Sequence, residues 1–88
     1  MAEMAVTITN RNGLHARPAA EIVRAASKFK SDITIVRDGL EVNGKSIMGV
    51  MMLAAECGST LLLRASGPDE EQALREIATI IESRFGEH

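Results

Sequence analysis

Eighty-eight residues make one domain, 1–88, small but long enough to enclose a single core without disulfide or metal staples. A composition 45% apolar and 25% charged is that of an ordinary globular chain, and two phenylalanines with no tryptophan or tyrosine leave the core to Ile, Val, Leu, Met and Ala. The net charge of −2 gives no cationic excess to neutralise phosphates, and so few aromatics offer no platform for stacked bases, which excludes nucleic acid as the main partner.

The single cysteine, Cys57, has no internal partner for a disulfide, so a reducing compartment is expected. No apolar run approaches the ~18 residues needed to cross a bilayer, so no membrane insertion is expected. The opening residues MAEMAVTIT lack the charged n-region and long apolar stretch of a signal peptide, and the expected location is the cytoplasm.

In chain order, Met4, Val6 and Ile8 alternate with Ala5, Thr7 and Thr9, the period of a strand with one buried face. Asn10 to Gly13 breaks it, with Asn12-Gly13 as the turn former. From position 16, Ala19, Ile22, Val23, Ala26 and Phe29 recur at helical spacing, predicting a helix of about three turns. Pro18 fits only the first turn of that helix, where its missing N–H would have had no acceptor.

Residues 32–37, DITIVR, are rich in β-branched side chains and predict a second strand. Asp38-Gly39 followed by Leu40-Glu41-Val42 is a strong hairpin signal, and Asn43-Gly44 ends the third strand. Ser46 stands before IMGVMMLAAE, a short helical run interrupted at Gly58. Residues 59–66, STLLLRAS, give a fourth strand with Leu61, Leu63 and Ala65 in one phase. Gly67-Pro68 opens the last helix, with Asp69, Glu70 and Glu71 in its first turn, where the helix dipole favours acidic groups. Ala73, Leu74, Ile77, Ala78 and Ile81 are its buried stripe, and Phe85 closes its end.

The order is therefore β-α-β-β-α-β-α. Each helix has one apolar stripe to cover and the strands offer one apolar face. This predicts an α+β fold with the helices on one side of an open antiparallel sheet.

The residues NGLHARPAA at 12–20 place His15 where a helix begins. A helix N-terminus presents unpaired N–H groups and the positive end of the macrodipole, which suits a phosphate. A phosphoryl group on the ring would lie against the N–H groups near residues 16 and 17, with Arg17 adding a charge-assisted contact. A lone histidine at a loop–helix junction is usually a cap or a surface residue. The combination of Gly13, His15, Arg17 and Pro18 before an Ala-rich helix points further.

Together, GLHARPAA, KSIMGVMMLAA at 45–55 and ASGPDEEQAL at 65–74 closely resemble the HPr family, the histidine-containing phosphocarriers of the bacterial phosphotransferase system, nearly end to end. The resemblance implies an open-faced β-sandwich, with a four-stranded antiparallel sheet and three helices on one face. It implies that His15 takes a phosphoryl group on Nδ1 from phosphorylated enzyme I and passes it to IIA domains in sugar uptake, with Arg17 as electrostatic partner. Such a chain is a phosphoryl-transfer intermediate rather than a free-standing enzyme, and needs no cofactor or metal. Cys57, read as a residue at a helix end, and His88, on the terminal tail, are too scattered to make a metal site.

Serine before a helix is ordinarily an N-cap. In HPr of many bacteria the residue matching Ser46 carries a regulatory phosphate from an HPr kinase/phosphorylase, and Lys45-Ser46-Ile47-Met48-Gly49 resembles that type. Phosphate there would place about −2 charge beside the docking face. Ile47, Met48, Met51 and Met52 are too many apolar residues for one buried stripe; about half are expected in the core and the rest in an adaptable patch. By resemblance Ala20, Arg24, Ile47, Met48 and Met51 dock partners, and cationic groups around them steer to acidic surfaces. A monomer is expected, because a carrier must expose one face to successive partners. Two alternatives stay open: the nitrogen-related branch of the same family, and a non-catalytic interaction module.

Overall fold

The computed structural model describes residues 1–83, which form β1 (Ala2–Thr7), α1 (Ala16–Ala26), β2 (Asp32–Arg37), β3 (Leu40–Asn43), α2 (Ile47–Met52), β4 (Thr60–Ser66) and α3 (Glu70–Glu82). Phe85 and His88 lie outside the described residues. The strands make one antiparallel sheet in the order β1-β4-β2-β3, so β4, the last strand in sequence, lies between the first and the second.

Alternation decides what each face does. Val6, Ile33, Ile35, Val42, Leu61, Leu63 and Ala65 point to one side and are buried. Over them lie Ala19, Ile22, Ala25 and Ala26 of α1, Val50 of α2, and Ala73, Leu74, Ile77, Ala78 and Ile81 of α3. The alanines of α3 let it lie close on β1 and β4, and α1 packs beside α3 and α2. The other face of the sheet carries Glu3, Arg64 and Glu41, with Arg64 Nε 2.9 Å from Glu3 and its Nη1 3.4 Å from Glu41. This is the open, helix-covered-on-one-side sheet expected from the pattern.

Asp38 and Gly39 both take positive φ, 50° and 84°, between the paired residues Arg37 and Leu40. That is the conformation of a type I′ turn, whose twist matches that of the strands.

Among the boundaries that differ from the expectation, three concern the helices. Helix α2 stops at Met52 instead of running on through Glu56, because Ala54 enters the left-handed region at φ 48°. Phe29 is buried, but through tight turns beyond α1, its N–H donating to Ala26 O at 3.2 Å. Helix α3 begins at Glu70 with Asp69 as N-cap, and the Asp69 carboxylate does not cap its own helix. It reaches across to the turn before β2, accepting from Lys30 N–H and Ser31 N–H at 3.0 Å each and from the Ser31 hydroxyl. These bonds hold the carboxyl below its ordinary range, the Ser31 hydroxyl contributing most. Glu70, accepting from Gly67 N–H at 3.1 Å, is lowered in the same way.

No helix among the described residues is long and apolar enough to cross a membrane.

Candidate functional site

His15 is the N-cap of α1, extended at φ −98° and ψ −171°, and its side chain makes no capping bond to the helix. Its carbonyl accepts from Ala19 N–H at 2.9 Å, closing the first turn. Pro18 is buried at the third helical position and has no N–H to offer. The N–H groups of Ala16 and Arg17 belong to the first turn and have no acceptor within the helix. The half-exposed imidazole thus stands at an electropositive helix end suited to an anion.

The loop before it is fixed by polar bonds. Gly13 N–H donates to Asn10 O at 3.1 Å, closing a four-residue turn of which Gly13 is the last member. The buried Asn10 side chain donates Nδ2–H to Gly13 O at 2.7 Å, and His15 N–H donates to the same carbonyl at 3.2 Å. Leu14, itself buried, donates its N–H to Ala55 O at 2.8 Å. Gly13 sits at φ 67°, where a Cβ would stand 2.6 Å from Ala55 O and 3.0 Å from Glu56 Cα. The close approach that glycine permits is therefore used by the chain's own backbone. Asn10 was invisible as a positioning group in the sequence, where it reads as one more turn former; its burial is the signal, and burial is not legible in a single asparagine.

Arg17 is exposed and leans along the helix towards Glu21, with Nε 3.9 Å from Oε1. At that distance and exposure the pair holds it weakly. Ala20 is half-buried. Arg24 is exposed and borders a shallow groove between α1 and α3, with Glu21, Ala25, Lys28 and Ile80.

Ser46 is the N-cap of α2: its Oγ accepts from Gly49 N–H at 3.1 Å. The preceding Lys45 is turned away, its Nζ donating to Phe29 O at 2.8 Å. Beyond α2, Arg37 donates to Leu53 O at 3.0 Å, so both ends of this short helix are tied down. The expectation that about half of its large apolar residues enter the core is corrected here. Ile47, Met48, Met51 and Met52 are all exposed, by 43%, 75%, 44% and 65%. Two anchors suffice, Val50 within the helix and Leu53 at its end, because six residues present only one inward turn. Met52, not among the expected docking residues, is exposed with the others.

Cys57 is exposed in the turn before β4, several residues past the end of α2 rather than at a helix end. No group of three or more His, Cys, Asp or Glu side chains that could hold a metal occurs among the described residues.

The family model described as the phosphotransferase-system HPr component phosphorylation site matches residues 2–83. Phosphocarrier protein HPr of Treponema pallidum (strain Nichols) is 56% identical over 82 residues, covering 93% of either chain. The crystal structure of HPr from Thermoanaerobacter tengcongensis, 49% identical, superposes with a TM-score of 0.96 over 100% of this chain and 99% of its own. An HPr dimer from the same organism matches at 0.80, covering 99% of this chain and 100% of its own. On near-complete coverage by both family model and relatives, the chain belongs to the HPr family of phosphocarrier proteins of the phosphotransferase system.

Proposed function

We propose that His15 is the residue that carries the phosphoryl group, taken from phosphorylated enzyme I and given to IIA domains in sugar uptake. The observation that carries this reading is the position of His15 as a half-exposed N-cap whose backbone is pinned on both sides. The imidazole Nδ1 attacks phosphorus as the bond to the donor breaks, so the group moves and only the P–N bond is left on this chain. Negative charge on the transferred oxygens is met by the N–H groups of Ala16 and Arg17 and by the Arg17 guanidinium, which swings from its weak contact with Glu21. The group leaves by the same geometry in reverse, since the P–N bond is labile. No cofactor or metal on this chain takes part in the step.

The docking surface in this reading is the exposed face of α2, Ile47, Met48, Met51 and Met52, together with Arg17, Ala20 and Arg24 of the neighbouring α1. Flexible thioethers adapt to two different partners, and the arginines steer the approach of acidic surfaces. The working form is a monomer that presents this face to each partner in turn, in the cytoplasm.

Ser46 is the regulatory site in this reading, phosphorylated by an HPr kinase/phosphorylase. A phosphate on Oγ keeps the helix-capping position and adds about −2 charge next to the patch, which repels acidic partners. Its hydroxyl already accepts from Gly49 N–H, so the modified side chain has a partner waiting.

The test compares two purified enzyme I paralogues, from the sugar and nitrogen branches, as phosphoryl donors. A higher kcat/KM from the sugar enzyme, followed by transfer to a sugar-permease IIA domain, is expected. Preference for the nitrogen enzyme would move the chain to the other branch. Incubation with ATP and HPr kinase should modify the native chain and not Ser46→Ala; equal labelling of both would remove Ser46 from the account.

A further inference from the structure

Three of the five methionines in the chain lie within the six residues of α2. Met48, Met51 and Met52 are 75%, 44% and 65% exposed. Their i, i+3, i+4 spacing puts neighbouring thioethers on the outer side of one short helix. Met4, by contrast, is partly buried against the core. The helix is Ile47-Met48-Gly49-Val50-Met51-Met52, without a charged, hydroxyl or thiol side chain, so its only reactive groups are those sulfurs. Its backbone is held independently of them, by the buried Val50 and Leu53, the Ser46 cap and the Arg37 bond to Leu53 O.

We propose that Met48, Met51 and Met52 form a reversible oxidation site that turns off the docking face under hydroperoxide stress. A hydroperoxide gives one oxygen to each thioether: an S–O bond forms as the O–O bond breaks. The sulfur is oxidised by two electrons and the peroxide is reduced to water or an alcohol. Each sulfoxide replaces an apolar, pliable contact by a strong dipole that a partner must desolvate. Thiol-dependent sulfoxide reductases restore the thioether, so the change is reversible. The proposal rests on the reading of α2 as the docking surface.

The experiment uses the full chain carrying Cys57→Ser, so that no thiol reacts, treated with hydrogen peroxide that is removed before assay. Peptide masses should show Met48 and Met52 converted first, Met51 next and Met4 last. Phosphoryl acceptance from phosphorylated enzyme I below saturation should fall about tenfold, through KM more than kcat, with unchanged circular dichroism. Sulfoxide reductases A and B together should restore it. In the triple variant Met48→Leu/Met51→Leu/Met52→Leu the rate, whatever its starting value, should be the same before and after peroxide, although Met1, also 77% exposed, still oxidises. Unchanged acceptance with all three residues converted, or conversion of Met4 as fast as Met48, would overturn the switch while leaving the carrier reading intact. Absence of acceptance by the untreated chain would sink the carrier reading itself and the switch with it.

Discussion

The N–H of Leu14 donates to the carbonyl of Ala55 at 2.8 Å, joining the residue before the candidate phosphoryl acceptor to the segment that leaves α2. The N-terminus of α1 and the exposed apolar helix are thus parts of one framework, although about forty residues separate them in sequence. Asn10 and Gly13 complete the framework from the other side, through the carbonyl that also receives His15 N–H.

Gly13→Ala should break this joint. The new Cβ meets Ala55 O at 2.6 Å, in a backbone at φ 67° that alanine disfavours. A loss of about 1–3 kcal/mol in urea unfolding is expected, together with slower phosphoryl acceptance at temperatures where the variant is folded. Gly58→Ala is the control. Its φ is 95° but nothing lies within 4 Å, so it should lose stability without slowing acceptance. Equal effects on acceptance would mean that the Gly13 loop does not position His15.

Arg17→Ala should separate chemistry from folding. Its contact with Glu21 is 3.9 Å long and its side chain is 69% exposed, so unfolding free energy should change by less than about 0.5 kcal/mol. Acceptance from phosphorylated enzyme I should nevertheless slow on the order of tenfold, with loss of the charge facing the transferred oxygens. Rates within twofold of the native chain would remove Arg17 from the phosphate.

Acid should weaken the fold through α3. Asp69 and Glu70 are both held below their ordinary values, Asp69 by the Ser31 hydroxyl and Lys30 N–H, Glu70 by Gly67 N–H. Folding therefore favours their ionised forms. The contribution is complete above the ordinary carboxylate pKa of about 4 and is lost as pH falls below it through the lowered folded-state values. Urea midpoints measured from pH 6 to pH 3 should drop at the acid end, and less so for Asp69→Asn. An identical acid slope in the variant would assign the loss elsewhere.

Ala54→Gly should stabilise the chain. Ala54 occupies the left-handed position that closes α2, at φ 48°, its N–H donating to Met51 O at 3.1 Å. Glycine removes the steric cost of that conformation and adds unfolded-state entropy, a net gain of up to about 1 kcal/mol. A lower melting temperature in the variant would contradict this.

The sequence carried the fold well because its signals were local. Alternation at Met4, Val6 and Ile8, the Asp38-Gly39 turn and the stripe from Ala73 to Ile81 each name an element without reference to the rest. Sheet order and helix ends were less legible. Nothing local in α2 announces that it ends at Met52, because an alanine, not a glycine, takes the left-handed position. His15 and Ser46 stood out by their place at helix starts, and Ser46 does cap α2. Asn10 and Ala55 did not, since their part lies in bonds to Gly13 and Leu14 that only the folded loop creates. The exposure of all four large residues of α2 was missed for a different reason. Apolar residues at helical spacing read as core, and only the helix's length of six limits how many can turn inward.

The central claim is that His15 carries the phosphoryl group, and intact mass tests it most directly. The chain and a His15→Ala variant are incubated with phosphoenolpyruvate, Mg²⁺ and enzyme I, then weighed before and after mild acid. The account predicts a single phosphoryl addition on the native chain, lost in acid and absent from the variant. An acid-stable addition, an addition that survives in His15→Ala, or none with enzyme I of either branch would contradict it.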